Sequence, residues 1–271
     1  MVRHRGSGGD CGLILTQLIR MTGEKGSDKD GDMSNQLFHV EYPVNEDGRD
    51  FVVGDLHGEY DQLMEALGHQ NFDKDHDRLF SVGDLIDRGP KSVDVVMLAI
   101  EPWFIPIQGN HEQMMLDAIS TGRFDLWLVN GGEWYLDCDR NTLHDLAGMI
   151  QGWPMAITIN HKSGKRVGVC HAEPPVSDWS TISEVEIDPH ASNVMVWGRY
   201  RIQSKDRSLV EGIEWVFCGH TTLGTPTVLG NTVFIDTGGY LEGRQLTVLN
   251  LDLFLGRGAL KAAIKWPDMK T

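Results

Sequence analysis

Five apolar runs of this chain stop at residues able to hold a metal ion or a phosphate group. Phe51-Val52-Val53 leads into Gly54-Asp55-Leu56-His57-Gly58. Residues 79–82 lead into Gly83-Asp84-Leu85-Ile86-Asp87-Arg88-Gly89-Pro90. Residues 104–107 come just before Gly109-Asn110-His111-Glu112-Gln113, and Cys170-His171 and Gly219-His220 close two later runs. The candidate donors are carboxylate, amide oxygen and imidazole nitrogen, and no thiolate is required. That set suits Mn, Fe or Zn in a hydrolytic role better than Cu(I) or a cysteine-rich structural zinc. His57, His111, His171, His220, Asp55, Asp84 and Asn110 together exceed what one ion takes. A pair of ions about 3.5–4 Å apart, sharing one carboxylate, would use them well. Any one fragment is weak, since a lone Gly-His is more often a structural histidine; the order and number of the five carry the weight.

The elements that must position these residues follow from the hydrophobic pattern. Gly54 and Gly58 let the backbone turn sharply on either side of Asp55 and His57. Tyr60–His69 carries Leu63, Met64 and Leu67 at helical spacing. Residues 79–82 read as a strand, 92–100 as a helix and 104–107 as a strand, with Pro106 near its start or at an irregularity. A helix with Met114, Met115 and Leu116 comes next. This alternation predicts a largely parallel sheet with function at the carboxyl ends of its strands. Residues 121–155 read as a helical insertion, with Trp127, Trp134, Tyr135 and Trp153 as core aromatics. Ala156–Asn160 and Arg166–Cys170 then alternate around a hairpin turn. Further strands are predicted at Trp215–Cys218, Thr227–Leu229, 232–235, 245–250 and 260–266, so the second half reads as antiparallel. Two sheets packed face to face, with helices outside, accommodate both halves.

The chain has 271 residues and a net charge of −15. Its length suits one folded domain of ordinary to large size. The acidic balance speaks against a nucleic-acid-binding surface. It also requires any anion-binding site to reverse the global field locally. Cys11, Cys138, Cys170 and Cys218 form no CxxC pair and read as reduced thiols of a cytoplasmic protein. No run approaches the ~18 apolar residues of a membrane span, so no membrane contact is expected. Residues 1–37, rich in Gly, Ser, Asp and Lys, read as a flexible extension with one short helix over 13–21, and 38–271 as the folded domain. No apolar stripe marks an interface, which favours a monomer.

Taken in order, the three glycine-flanked motifs around Asp55, Asp84 and Asn110, followed by Cys170-His171-Ala172-Glu173, Trp197-Gly198-Arg199 and Phe217-Cys218-Gly219-His220-Thr221, resemble the PPP-type, calcineurin-like metallophosphoesterases. The bacterial and bacteriophage-lambda-type Ser/Thr protein phosphatases are the nearest branch, and the resemblance spans residues 52–237. It implies a mixed α/β fold of four layers, two packed β-sheets flanked by helices, with the metal site at the carboxyl ends of strands. It implies two divalent ions, Mn²⁺ first, with Fe or Zn as alternatives. Asp55 and His57 would bind one ion, Asp84 would bridge both, and Asn110, His171 and His220 would bind the other. Arg88, Arg199 and Asn110 would hold the phosphate, and His111, oriented by Asp87, would be the general acid.

The chemistry of these residue types agrees with the implied roles. Two divalent ions and two arginines outweigh two aspartates, which admits a phosphate dianion to an acidic protein. A hydroxide shared by the ions would attack phosphorus directly. Arginine forks match phosphate geometry, and an imidazolium at His111 would protonate the departing alkoxide. The implied substrate is a phosphoprotein or phosphopeptide carrying phosphoserine or phosphothreonine, with phosphotyrosine as a further candidate. Two alternatives stand beside it. One is a symmetrical dinucleoside-tetraphosphate hydrolase of the same fold, a group that usually lacks the aspartate at the position of Asp87. The other is a non-catalytic phosphoprotein-binding adaptor. Glu112 reads equally as a helix-start carboxylate or as a partner of the metal loop. The role of Tyr240 is open. His4, His39, His69, His76, His144, His161 and His190 read as surface or loop residues, Asp236 as structural, and Cys170 and Cys218 as buried packing.

Overall fold

Strand β2 (Asp50–Val53) sets the pattern of the fold, because all four of its residues are buried. A strand covered on both faces reads as a continuous apolar run, and successive side chains serve different layers. Phe51 and Val53 join a cluster with Leu63, Leu67, Val95 and Trp103. Val52, between them, joins Phe80, Val82, Ile157, Val169, Phe217 and Val233. The first cluster packs helices on the sheet, and the second is the seam between two sheets. The computed structural model describes residues 38–257. The helix expected at 13–21, the whole of the extension 1–37 and the strand expected at 260–266 lie outside the described residues.

Along the chain, β1 (His39–Tyr42) and β2 precede α1 (Tyr60–His69), β3 (Arg78–Ser81), α2 (Ser92–Met97), β4 (Phe104–Ile105) and α3 (Asn110–Thr121). β4 stops immediately before Pro106, where the ladder would lose a donor. The insertion then comprises α4 (Asp125–Leu128), a 3₁₀ segment Gly132–Asp137 and α5 (Arg140–Gln151). Asp139 starts α5 by accepting the N–H groups of Asn141 and Thr142, two donors that the helix itself leaves unpaired. Next come β5 (Ala156–Asn160), β6 (Arg166–Cys170), a 3₁₀ stretch Trp179–Ile187, α6 (Pro189–Trp197) and α7 (Tyr200–Ser204). β7 (Trp215–Cys218), β8 (Thr227–Leu229), β9 (Thr232–Phe234), β10 (Val248–Asn250) and α8 (Leu251–Arg257) complete the described chain.

The strands form a four-stranded sheet, β10-β2-β3-β4, and a six-stranded sheet, β1-β5-β6-β7-β9-β8. β2, β3 and β4 are parallel, as the sequence pattern predicts. The second half corrects the antiparallel expectation. Within the six-stranded sheet the hairpins β5/β6 and β8/β9 are antiparallel, whereas β1/β5, β6/β7 and β7/β9 are parallel. The physical reason is the helical stretch between Cys170 and Trp215, which is long enough for a crossover that returns the chain in the same direction. The consequence is functional: His171 and His220 both leave the sheet at the carboxyl ends of parallel strands. β10, within the strand predicted at 245–250, pairs antiparallel with β2 and extends the first sheet.

On the outer face of the six-stranded sheet, Cys170, Val216, Cys218 and Phe234 pack against Trp179, Met195 and Val196. The order of layers is therefore helix, sheet, sheet, helix. Among the described residues no helix is long and apolar enough to cross a membrane. His161, read as a surface or loop residue, lies in a loop but not on the surface. It is 4% exposed and its Nδ1 lies 2.8 Å from Ser163 Oγ within the β5–β6 turn.

Candidate metal centre

The loops that leave β2, β3 and β7 carry residues in backbone conformations that side chains rarely adopt. His57 (φ 44°), Asp84 (51°), Asp87 (74°), Arg88 (67°) and His220 (65°) are all left-handed without being glycine. Each costs about 1–3 kcal/mol and persists only where neighbours enforce it. Hydrogen bonds between loops do so here. Leu56 and His57 donate backbone N–H groups to the Asp84 carbonyl at 3.0 and 2.9 Å, and Gly58 donates to the Leu85 carbonyl at 2.8 Å. Gly89 is required beside them, because a Cβ there would overlap the His57 carbonyl oxygen.

These loops, with those that leave β4 and β6, gather four donor atoms. Asn110 Oδ1 lies 2.7 Å from His220 Nδ1 and 3.0 Å from His171 Nε2. Asp84 Oδ1 lies 3.3 Å from the same His171 nitrogen. His171 Nδ1 is 2.7 Å from the Val82 carbonyl, which can only accept, so Nδ1 carries a proton. The Nε2 of a neutral ring therefore presents a lone pair to two oxygens, an arrangement that a proton or a metal ion relieves. Around the other Asp84 oxygen, His57 Nε2 lies 3.8 Å and His111 Nε2 3.9 Å from Oδ2. His57 Nδ1 donates to the Ile86 carbonyl at 2.9 Å, which leaves its Nε2 as a lone pair. His111 Nε2 and His220 Nε2 are buried without a hydrogen-bond partner. Two candidate metal groups result among the described residues, His57/Asp84/His111 and Asp84/His171/His220, and they share Asp84.

The electrostatics match lone-pair donors at His57 and His220, whereas at His171 burial is outweighed by Asp84, which raises the ring's pKa. Burial opposes the charge of Asp84, but His171, His111 and His57 overcome it and hold the carboxyl well below its usual range. Burial, reinforced by His171 and Arg199 against Asp84, pushes His220 down to about 3. Burial does the same to His57, with His111 and Arg88 assisting and Asp84 opposing, again to about 3. Both rings are therefore neutral and able to offer lone pairs near neutral pH. Asp55 is raised well above its usual range by burial, then by Asp236 and Asp84. Its carboxylate accepts the His220 backbone N–H at 2.9 Å, and it belongs to neither group above. Asp236 is buried and receives Thr222 Oγ1 and the Gly238 N–H.

Glu112 fills both of the roles left open for it. Wholly buried at the start of α3, its carboxylate accepts the N–H groups of Gly109 (2.7 Å), Leu85 (2.8 Å) and Asp84 (2.9 Å). It thereby ties the Asp84 loop to the Asn110 loop. Burial and the neighbouring Asp84 push it up to about 7.

His111 and Asp87 form a buried pair, with Nδ1 and Oδ2 2.6 Å apart. Burial raises the Asp87 carboxyl, while hydrogen bonds from His111, Trp134 and Trp127 pull against it. The two tryptophans correct the reading of the insertion. They do pack in or against the core, but Trp127 Nε1 also donates to Asp87 at 2.9 Å and Trp134 Nε1 at 2.7 Å. Arg88 Nη1 donates to His57 Nε2 at 2.7 Å, and its guanidinium lies 4.7 Å from the centroid of the Tyr240 ring. That ring is itself 4.8 Å from the His57 ring, so Tyr240 borders the site. Arg199 stands at the start of α7. Glu173 holds this turn by accepting the N–H groups of Tyr200 (3.2 Å) and Arg201 (2.7 Å). The sequence reading named Glu173 within its motif but gave it no role, because its partners lie in a distant loop. Cys170 and Cys218 are fully buried, as expected, with sulfurs 3.6 Å apart.

Comparison with known proteins agrees with this geometry. Serine/threonine-protein phosphatase 2 of Escherichia coli (strain K12) is 34% identical over 200 residues, 72% of this chain and 89% of that protein. A symmetrical bis(5'-nucleosyl)-tetraphosphatase of Yersinia enterocolitica is 38% identical over 74 residues, 27% of this chain and 25% of the relative. A solved structure of a protein serine/threonine phosphatase from Saccharomyces cerevisiae superposes with a TM-score of 0.51 at 16% identity, covering 87% of this chain and 86% of the other. At that identity the superposition speaks for the fold alone. Residues 51–223 match the calcineurin-like phosphoesterase family. With that match across the metal-donor loops, the chain belongs to the calcineurin-like phosphoesterases, and it is a metallophosphoesterase.

Proposed function

We propose that this metallophosphoesterase is a Ser/Thr protein phosphatase that uses two divalent ions, Mn²⁺ first among them. Asp55, His57 and Asp84 hold one ion, and Asp84, Asn110, His171 and His220 hold the other. Fe or Zn would suit the same oxygen and nitrogen donors. When bound, the ions supply Lewis acidity and an acidified water. The protein's own groups do the rest. Arg88, Arg199 and Asn110 bind the phosphate oxygens, and His111 protonates the departing serine or threonine oxygen while Asp87 holds its tautomer. The observation that carries this reading is the 2.6 Å Asp87–His111 pair beside two donor groups that share Asp84. An alkoxide is a poor leaving group, and a buried acid pair at the metal centre is the device it needs. The long match to a named Ser/Thr phosphatase supports the substrate class, whereas the sequence match to the Yersinia enterocolitica tetraphosphatase covers about a quarter of the chain. A cytoplasmic setting suits the thiols Cys170 and Cys218.

The test is phosphate release from a phosphoserine peptide by metal-stripped protein, with and without Mn²⁺, beside Asp84→Asn and beside diadenosine tetraphosphate as rival substrate. Mn²⁺-dependent release that the substitution abolishes is the expected result. Exclusive cleavage of the dinucleotide would replace the proposal with the tetraphosphatase reading. Peptide binding without turnover of either substrate would favour the adaptor.

A further inference from the structure

Asp87 receives more donors than an acid pair requires. Oδ2 lies 2.6 Å from His111 Nδ1 and 3.0 Å from Trp127 Nε1, while Oδ1 lies 2.9 Å from Trp127 Nε1 and 2.7 Å from Trp134 Nε1. Both indoles come from the insertion, some forty residues along the chain. Their seating is specific. Trp127 is wholly buried, stacks on Tyr135 at 5.1 Å and meets Trp134 edge-on at 5.7 Å. Gly132 lies against it so closely that a Cβ there would come within 2.6 Å of the indole nitrogen. The same segment reaches the neighbouring residue too, since the Gly131 carbonyl accepts the Arg88 N–H at 3.1 Å.

A terminal carboxylate torsion is soft. Held by His111 alone, the Asp87 carboxylate could turn and carry the imidazole with it. Donors placed on both oxygens fix its plane. We propose that Trp127 and Trp134 are positioning residues for leaving-group protonation, their indole N–H groups clamping Asp87 so that His111 Nε2 stays aimed at the departing oxygen. The inference rests on the phosphatase reading above and makes residues 124–138 part of the acid apparatus rather than packing alone.

The experiment uses the full chain loaded with Mn²⁺. It compares turnover of phenyl phosphate, whose leaving group needs a proton, with p-nitrophenyl phosphate, whose leaving group needs little. Removing an acid costs ~10²–10⁴-fold, so Trp134→Phe, which disturbs its aim, should lower the phenyl to p-nitrophenyl kcat ratio about tenfold. Trp127→Phe should lower it at least as far. In an Asp87→Asn background the same substitutions should move the ratio by less than about twofold, because they act through Asp87. A wild-type ratio in Trp134→Phe, or a further tenfold loss in the Asp87→Asn background, overturns the inference. Trp127→Phe opens a gap in the core; should it fail to fold, Trp134, which is only partly buried, decides the matter alone. If the wild-type enzyme turns over neither ester, the phosphatase reading falls and this inference with it. If it turns over both and the ratio does not respond, only this inference falls.

Discussion

Replacing Gly109 by alanine tests whether the Asp84 and Asn110 loops form one clamp. The backbone at Gly109 has φ −105°, an ordinary value, so conformational strain plays no part. Space does. A Cβ there would overlap Asp84 Oδ1, and would lie 2.5 Å from the Asp84 backbone nitrogen and 2.8 Å from His171 Cε1. Carbon makes comfortable contact at about 3.5 Å, so the loops must part by about 1 Å. Overpacking of this kind costs about 1–3 kcal/mol of stability. The larger effect falls on metal binding, because ligand positions tolerate only about 0.2 Å and Asp84 belongs to both donor groups. Calorimetric titration of metal-stripped protein should show Mn²⁺ affinity at least about tenfold weaker, which is about 1.4 kcal/mol, at both sites. Urea unfolding gives the stability loss separately. Gly148→Ala is the control, in the exposed interior of α5 with no atom within 4 Å of the added Cβ. It should gain about 0.5–1 kcal/mol with Mn²⁺ binding unchanged. Wild-type Mn²⁺ affinity in Gly109→Ala would refute the shared clamp.

Other perturbations probe separate parts of the site. Asp87→Asn puts an amide where His111 Nδ1 needs an acceptor, so the ring loses its imidazolium partner. Turnover of phenyl phosphate should fall ~10²–10⁴-fold and that of p-nitrophenyl phosphate far less, whereas equal losses would remove His111 from the acid role. His57 and His220, both held at about 3, should have neutral rings at pH 5 in metal-stripped protein by ¹⁵N NMR, and titration of either near 6.5 would contradict the burial argument. Because their folded values lie below the unfolded value of about 6.5, their contribution to stability is present above that pH and is lost as the pH falls toward 3. Glu112, raised to about 7, has the opposite sign, since the folded chain takes up its proton first and offsets part of that loss between about 7 and 4.5. Glu173→Ala should release the turn at Arg199, leaving two backbone N–H groups unpaired. KM for p-nitrophenyl phosphate should rise about tenfold, in line with about 1–3 kcal/mol for the lost acceptor, and an unchanged KM would detach Glu173 from Arg199.

Much of the site was legible in the sequence because its residues sit where a strand ends. An apolar run followed by glycine and a donor residue is a local signal, and the motifs at Asp55, Asp84 and Asn110 each repeat it within a few positions. β2, β3 and their helices follow from the same periodicity, which depends only on neighbouring side chains. The second sheet was misread because strand direction is not local: the hairpin at 161–164 signals its own reversal, but the crossover between Cys170 and Trp215 writes no direction into either strand. Trp127 and Trp134 were read as packing alone for a related reason. An indole is large and apolar, so burial explains it without its N–H, and only the folded chain brings that N–H to Asp87. Glu173 and Arg199, Glu112 and Asp84, and Tyr240 and Arg88 likewise meet across loops. Residue types and strand-end spacing therefore determined which atoms were available for the chemistry. Tertiary structure decided which atoms meet and which Asp84 oxygen each histidine faces, because hydrogen bonding and charge act over a few ångströms between residues far apart in the chain.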